Sequence, residues 1–265
     1  MKKITMYQVD AFTDKLFSGN PAAVCVLDEW LGDELMQSIA QENNLAETAF
    51  VVPKGSAFEI RWFTPTVEVD LCGHATLASA YVLFNEHAYN GNIITFHSHR
   101  SGQLLVEKKG EMLFLDFPTD VIHLYSGENE DLITNGIGIK PSEIYKGKTD
   151  YIALIENEAE LYALQPDFSQ IAKLPARGLI VTAKGDKVDF VSRFFGPQSG
   201  IDEDPVTGSA HTSLIPIWAK KLGKNNFTAL QLSKRGGHLT CELKYDRCLI
   251  GGNARLFFVG HIYLE

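Results

Sequence analysis

The sequence contains few cysteines, no excess of positive charge and no long apolar run. Its 265 residues include four cysteines, and none of them belongs to a Cys-x-x-Cys pair. This usage indicates neither a disulfide framework nor a zinc cage, and it fits a reducing cytoplasm. The net charge of -9 argues against nucleic-acid binding, and no stretch approaches the ~20 apolar residues of a membrane span. We therefore expect a cytoplasmic protein that binds neither nucleic acid nor membranes.

Two kinds of cofactor motif are also missing. No Gly-x-Gly-x-x-Gly sequence and no P-loop follows a predicted strand, so no nucleotide cofactor is expected. His97 and His99 alternate on a predicted strand and would share a face, but no third ligand is obvious nearby. The sequence therefore predicts no metal site and no cofactor.

What the sequence does contain is the pattern of a mixed α/β protein. Hydrophobic residues make up 45% of the chain and charged residues 22%, which is ordinary globular composition. At 265 residues, a division into two domains is expected. Hydrophobic periodicity predicts for the first half, in chain order, strand 4–12, strand 22–27, helix 31–42, strand 47–52, strand 58–63 and helix 74–86.

The second half repeats this order of elements. The pattern predicts strand 151–155, a helical segment around 157–173, strand 178–182, strand 188–195, helix 209–222 and a hairpin of strands 230–234 and 239–243. Pro216 lies inside the last helix, where a proline removes a hydrogen bond and clashes with the preceding turn. Periodicity alone would therefore end that helix at Pro216.

Two segments, one from Pro53 and one from Ala183, can be laid over each other. Residues 72–75, Cys-Gly-His-Ala, then fall on residues 207–210, Thr-Gly-Ser-Ala. The repeat predicts two similar lobes, each with one helix start at the same relative place. Gly73 and Gly208 would let a carboxylate approach the unpaired N–H groups of both helix starts. The alternative is that the two glycines only satisfy turn geometry.

Four segments together are similar to the PhzF-like isomerases of phenazine biosynthesis. They read QVDAFTDKLFSGNPAAVCVL at 8–27, NLAETAFV at 44–51, IRWFTPTVEVDLCGHATLASA at 60–80 and GIDEDPVTGSAHTSLIPIWAKKLG at 200–223. The resemblance implies the diaminopimelate epimerase fold of class α/β (α+β). In that fold, two pseudo-symmetric lobes each wrap a curled mixed sheet around a central helix, with the active site between the lobes.

The resemblance also implies details that periodicity does not reach. The first lobe is expected at 1–118, with 253–265 returning to it, and the second at 119–252. The family carries a proline at position 216, so the helix is kept and a kink or a distorted first turn is expected. A homodimer is expected as well.

Three residues are expected to be catalytic on the strength of the resemblance. Glu47 enters an otherwise apolar strand, so it is expected to be partly buried, which suits proton exchange; the alternative is a surface glutamate at a strand start. The catalytic glutamate of the family falls on Glu47, as general acid/base. His74, in the first turn of the central helix, is implied to donate a hydrogen bond or to stabilise a developing charge. Asp204 is implied to orient or relay a proton.

Five further residues are expected to contact substrate: Gly73, Gly208, Ser209, Asn20 and Cys72. Ser209 can present its hydroxyl and its backbone N–H to a carboxylate. Asn20 precedes a proline, and turn chemistry is its alternative role. Diaminopimelate epimerase uses two thiols, one at each helix start, whereas here Cys72 has Thr207 as its mate, so Cys72 is alternatively a small buried hydrophobe.

Three functions follow from these residues. The first is a cofactor-independent isomerase in which Glu47 transfers a proton on a small anionic, carboxylated metabolite. The second is an amino-acid racemase or epimerase that uses the thiol of Cys72 opposite another base. The third is a non-catalytic binder of small molecules that keeps the same cleft.

Overall fold

The computed structural model describes residues 2–264. The chain divides into two compact units, one formed by Met1–Phe117 with Ile250–Glu265 and the other by Pro118–Leu249. In the described part of the chain, no helix is both long and apolar enough to span a membrane.

The first unit is a mixed sheet with two helices. Its elements are β1 (Lys2–Ala11), β2 (Asn20–Val26), α1 (Asp33–Asn43), β3 (Glu47–Lys54), β4 (Ala57–Phe63), β5 (Glu68–Val69), α2 (Gly73–Asn85), β6 (Ile93–Ser98), β7 (Gly102–Lys109) and β8 (Met112–Pro118), and the strand that ends the chain runs over Ala254–Leu264. That last strand pairs antiparallel with β1, and β1 pairs antiparallel with β2. Strand β2 pairs parallel with β3, and β3 pairs antiparallel with β4. Strand β4 pairs parallel with β6, β6 antiparallel with β7, and β7 antiparallel with β8.

Helix α2 is the centre of this unit. Its sequence is apolar on nearly every side, and eleven of its thirteen residues are buried. A helix of this kind has to be covered on all faces, and α2 accordingly packs against β1, β2, β3, β7 and the last strand. The sheet thus curls around the helix, as expected from the family resemblance. Helix α1 packs instead on β3 and β4, over a hydrophobic cluster that includes Met36, Phe50 and Phe63.

The second unit is built in a similar way. Its elements are β9 (His123–Leu124), α3 (Glu130–Ile137), β10 (Glu143–Lys146), β11 (Asp150–Leu154), α4 (Glu158–Ala163), α5 (Phe168–Ile171), β12 (Gly178–Lys184), β13 (Phe190–Gly196), β14 (Ile201–Asp204), α6 (His211–Leu222), β15 (Asn226–Gln231) and β16 (Gly237–Lys244). Strand β17 (Arg247–Gly252) begins in this unit and ends in the first, and the strand Ala254–Leu264 is β18. Strand β11 pairs parallel with β12, and β12 pairs antiparallel with β13. Strand β13 pairs parallel with β15, and β15 pairs antiparallel with β16. The pairing from β2 to β7 has the same order, so the repeat seen in the sequence is also a repeat of topology.

The helix of the second repeat contains Pro216 and continues beyond it. A single 3-10 turn at Gly208–Ala210 precedes α6, which then runs to Leu222. Pro216 has no N–H for the carbonyl of Thr212. That carbonyl accepts a hydrogen bond from the backbone N–H of Asp120 at 3.2 Å. A neighbouring segment therefore satisfies the group that the proline leaves free.

Two predicted elements of the second unit are corrected by the structure. The helical segment expected over 157–173 is two short helices, α4 and α5, because Pro166 disfavours helical backbone before it and Asp167 caps the next helix by accepting from Ser169 N–H. The strand expected over 230–234 ends at Gln231. Ser233 lies in the turn that follows, where its hydroxyl donates to the carbonyl of Pro205.

Candidate active site

The candidate residues of the first unit meet at one edge of its sheet. Asn20 opens β2 and Glu47 opens β3, and these two strands are parallel, with Ala22 opposite Glu47. Helix α2 packs on both strands and begins at Gly73, with Cys72 as its N-cap. Because neighbouring parallel strands start at the same edge, the two strand starts and the helix start present their side chains to one place.

His74 is the hub of this cluster. Its Nε2 lies 3.2 Å from Glu47 Oε2. On the other side of the ring, Nδ1 lies 3.2 Å from Asn20 Nδ2 and 3.5 Å from Cys72 Sγ. One ligand atom each of Glu47, Cys72 and His74 lie within 4.8 Å of one another, which makes the cluster compact.

The facing atoms of Glu47 and His74 are buried without a well-aligned hydrogen bond. The side chain of Glu47 is 13% exposed and that of His74 is 6% exposed. Within residues 2–264, neither Glu47 Oε2 nor His74 Nε2 finds a hydrogen-bond partner of good geometry, although the two atoms are in ion-pair range of each other. Buried polar atoms are normally satisfied, because desolvation without a partner is costly. The arrangement is therefore typical of a site that completes its hydrogen bonds with a ligand.

The charges around His74 favour its protonated form. Burial on its own lowers the pKa of His74, but contact with Cys72 and then with the carboxylate of Glu47 raises it by more, and the pKa lies well above its ordinary value. Burial raises the pKa of the Cys72 thiol to about 11, so Cys72 keeps its proton near neutral pH. Glu47 is therefore the partner that holds the proton on His74.

In the second unit, Asp204 is fixed by a hydrogen-bonded loop. The hydroxyl of Thr207 donates to Asp204 Oδ2 at 2.5 Å. The buried amide of Gln231 accepts from the backbone N–H of Thr207 and donates to the carbonyl of Asp204, both at 2.8 Å. Thr207, the counterpart of Cys72 in the repeat, thus positions a carboxylate, and the second thiol of a two-thiol epimerase is absent at this position.

Ser209 is held by a residue that the sequence did not single out. Arg177 NH1 donates to the Ser209 hydroxyl at 2.9 Å. The other nitrogens of Arg177 form a two-point pair with Asp150, a carboxylate that is 2% exposed. Because the serine oxygen accepts from Arg177, its own O–H is available to donate to a ligand. Gly208, beside it, opens the 3-10 turn before α6.

A second buried histidine lies two residues after Ser209. His211 is completely buried, and its Nδ1 lies 3.0 Å from the carbonyl of Thr207. Its ring packs near Phe190, which also stacks on Trp218. Burial lowers the pKa of His211 to about 4, so it is neutral at physiological pH.

The structure groups the expected site residues by unit. Asn20, Glu47, Cys72, Gly73 and His74 converge in the first, and Asp204, Gly208 and Ser209 share one loop in the second. Sequence reasoning missed Arg177, Asp150 and Gln231, because they lie on or just before strands far along the chain from the residues they hold.

His97 and His99 of the first unit have a separate environment. His97 and His99 are on or beside β6, and His99 Nε2 lies 3.7 Å from Glu68. Glu68 is occupied by a two-point ion pair with Arg61 and by a contact with Arg100. These neighbours make a surface ion-pair network.

Comparison with known proteins identifies the family. The sequence profile of the phenazine biosynthesis-like proteins, PhzC-PhzF, matches residues 9–260. The chain belongs to this family. An uncharacterized isomerase of Pseudomonas aeruginosa is 51% identical over 263 residues, which cover 99% of this chain and 100% of the relative. The family predicted from the sequence is confirmed, and the protein is an isomerase of that family.

Solved structures agree with the fold. A PhzF-family phenazine biosynthesis protein of Enterococcus faecalis superimposes with a TM-score of 0.96 at 48% identity, covering 99% of this chain and 100% of that one. A hydroxyproline epimerase of Agrobacterium vitis reaches a TM-score of 0.61 at 8% identity, covering 98% and 92% of the two chains. The second likeness concerns the fold alone, and together they confirm the predicted fold class.

Proposed function

We propose that the protein is a cofactor-independent isomerase that moves a proton on a small carboxylated metabolite, with Glu47 as general acid and base. The C–H bond beside the carboxylate breaks as Glu47 takes the proton. The electron pair left on carbon delocalises toward the substrate's carboxylate or a conjugated double bond. Glu47 then returns the proton to carbon, so that no cofactor and no second substrate is consumed.

The observation that carries this proposal is the buried Glu47–His74 pair. Its two facing atoms are 3.2 Å apart and lack well-aligned partners among the described residues. A proton carrier has to exchange its proton with substrate, so it cannot be locked into a permanent hydrogen bond. The positive charge on His74 would stabilise the negative charge that develops on the substrate when the proton leaves.

The remaining residues bind or orient in this proposal. The N-terminal end of α2, at Gly73, carries the positive end of the helix dipole and favours an anionic group. Asn20 faces Nδ1 of His74, and with a charged ring its amide must turn so that the oxygen accepts from Nδ1–H. In the second unit, Ser209 is proposed to donate its hydroxyl proton to a carboxylate while Arg177 holds its oxygen, and Asp204 is proposed to orient or relay a proton.

The test is solvent deuterium incorporation. A library of small carboxylated metabolites is incubated with the wild-type protein in deuterated water, and mass spectrometry identifies any compound that gains deuterium or changes isomer. Glu47→Gln keeps the shape of the side chain and removes the base, so we expect exchange and turnover to fall about 10²- to 10⁴-fold.

Glu34→Gln is the matched control, because Glu34 is an exposed glutamate on α1 in the same unit. We expect it to exchange at the wild-type rate. Undiminished exchange and turnover in Glu47→Gln would exclude Glu47 as the proton carrier. A compound that binds to the wild-type protein but never exchanges would favour a non-catalytic binder.

A further inference from the structure

We propose that the outer edge of strand β18, together with the loop tip at residues 16–17, is the surface on which a second copy of this chain docks. In the resulting two-fold dimer, the β18 strands of the two copies lie side by side and antiparallel. The surface belongs to the first unit, and the proposal does not depend on the proposed function. It gives the homodimer expected from the family resemblance a defined interface.

Strand β18 is the edge of its sheet. It pairs antiparallel with β1 from Ala254 to Leu264, and β1 has β2 on its other side. Among the strand registers of residues 2–264, β18 has β1 as its partner and no second strand. The outward N–H and C=O groups of an edge strand can pair with a further strand. Strand β18 therefore offers the outer side of eleven residues to a partner.

The sequence of this edge lacks the residues that discourage pairing. Natural edge strands are commonly protected by lysine, by other charged residues or by proline. Residues 256–264 read LFFVGHIYL and contain no Lys, Arg, Asp, Glu or Pro, although 22% of the chain is charged. An open edge of this composition would promote aggregation. The edge is therefore expected to be covered in the native protein.

Apolar side chains are exposed on both faces of the edge. Phe258 and Val259 are 46% and 45% exposed, and Tyr263 is 62% exposed. Neighbouring residues of a strand point to opposite faces, so the apolar surface continues around the edge from one face to the other. A bulge opposite Gln8 and Val9 leaves Phe257 without a residue opposite it on β1, and its side chain is exposed as well.

Phe17 extends this surface from the neighbouring loop. Its ring lies 5.7 Å from that of Phe257, edge to face, and the residue is 71% exposed. Its backbone has φ +66°, a left-handed conformation that is costly for an aromatic residue. The buried carboxylate of Asp10 stabilises this conformation by accepting from the N–H of Phe17 at 2.9 Å. A strained residue that presents an aromatic ring to solvent indicates a binding role.

The size of the patch fits a dimer interface. Its exposed apolar side chains are Leu16, Phe17, Phe257, Phe258, Val259 and Tyr263. Their exposed parts amount to roughly 600 Å², which is at the upper limit for the largest patch of a typical monomer. Each partner of a stable complex buries ~800 Å², so these side chains supply most of that area and the strand edge adds to it.

A second copy is the occupant that fits this edge best. Two identical edges can pair antiparallel about a two-fold axis, so that each copy contributes the same patch and both edges are closed. The patch is also free of charged side chains, whereas the whole chain carries a net charge of -9. Two copies that meet at this patch therefore bring their uncharged surfaces together and avoid repulsion between like charges.

The test measures the mass of the full-length protein in solution. Sedimentation equilibrium is run from ~0.1 to ~10 μM, because interfaces of this size have dissociation constants of about 1 μM or lower. We expect the wild-type protein to reach twice the chain mass of 29.4 kDa. Phe258→Glu places one negative charge from each copy in the interface, so it should weaken the dimer about 100-fold or more. A wild-type protein that stays monomeric at the highest concentration would overturn the proposal.

Phe17→Gly is the second variant, and it separates docking from folding. Glycine adopts a positive φ without strain, so the change removes the ring and should not destabilise the subunit. We expect the dimer to weaken about tenfold, while urea unfolding shows a subunit at least as stable as the wild type. Circular dichroism establishes that each variant is folded; if Phe258→Glu is not, Phe17→Gly carries the test.

Tyr162→Glu is the matched control, because Tyr162 is a 75% exposed aromatic residue on α4 of the second unit. We expect it to dimerise like the wild-type protein. A dimer of wild-type affinity in every folded variant of the patch would place the interface on another face and overturn the proposal. A dimer that Tyr162→Glu weakens as strongly as Phe258→Glu would do the same.

Discussion

The helix starts of the two units share a backbone plan but differ in charge. Each follows an extended residue, Cys72 or Thr207, and opens at a glycine. Each also buries a histidine in its first turns. His74 lies 3.2 Å from a carboxylate and its pKa is raised, whereas His211 faces a backbone carbonyl and aromatic rings, and its pKa is lowered to about 4.

The difference shows that burial alone does not determine the charge of a histidine. Both rings lose water, which disfavours the imidazolium form in both cases. Only His74 has neighbours, Cys72 and the carboxylate of Glu47, that reverse this effect. The first unit therefore presents a charged pair suited to proton transfer, and the second presents a neutral ring that serves packing.

The largest expected effect comes from substituting each histidine in turn. In our proposal His74 stabilises charge on the substrate, so His74→Gln should slow deuterium exchange about 10²- to 10⁴-fold. His211→Gln, the matched change in the second unit, should leave exchange within a few-fold of wild type. The rates would be measured on the substrate found in the library screen. Equal losses in the two variants would contradict a functional difference between the two histidines.

The next effect concerns stability against acid. The pKa of His211 falls from 6.5 to about 4 on folding, so the unfolded chain binds the extra proton first. The stability that neutral His211 contributes is fully present above pH 6.5 and is lost as the pH falls toward 4. This loss lowers the free energy of unfolding by about 3 kcal/mol. His74 has the opposite sign: its contribution is present below pH 6.5 and is lost as the pH rises through its raised pKa.

Urea unfolding at a series of pH values from 7.5 to 4 measures how the free energy of unfolding depends on pH. We expect the loss of unfolding free energy in His211→Gln to be smaller than in the wild-type protein by about 3 kcal/mol. His238→Gln serves as a control, because His238 is exposed on β16. Parallel pH profiles for wild type and His211→Gln would show that the ring is not neutral in the folded state.

Much of this fold could be predicted because its signals are local. Strand 58–63 and the all-apolar helix at 74–86 match β4 and α2, since alternation and periodicity reflect which side chains are buried. The predicted helix over 157–173 was wrong, because Pro166 and the cap at Asp167 interrupt a pattern that periodicity reads as continuous. Short segments with few core residues give the weakest patterns.

The site was predictable only in part. Short motifs around Glu47 and His74 carry the family resemblance, and the structure brings these two residues together. Arg177 stands 27 residues from Asp150 and 32 from Ser209. Such a contact depends on how strands pair, so no local pattern marks it. The catalytic roles themselves stay predictions until they are measured.

Arg177 offers a smaller test of how the second unit holds its serine. Lysine keeps the charge but loses the planar fork that bonds Asp150 and Ser209 together. Arg177→Lys should lower the free energy of unfolding by about 2 kcal/mol, below the range of a fully buried pair because the arginine side chain is 36% exposed. The KM for deuterium exchange on the substrate should also rise, because Ser209 loses its orientation. Arg255→Lys, at an exposed arginine of β18, is the control. The same stability and the same KM in both variants would contradict the role of Arg177 in positioning Ser209.

The smallest effect is expected at Cys72, and it decides whether the thiol or the carboxylate of the first unit is the base. A thiol with a pKa near 11 is protonated at neutral pH and is a poor base there. Its counterpart, Thr207, donates to Asp204 and supplies no second thiol. Cys72→Ala should therefore slow exchange only a few-fold, through looser packing around His74. A loss as large as that of Glu47→Gln would instead make the thiol a proton carrier and move the chemistry toward a racemase or epimerase.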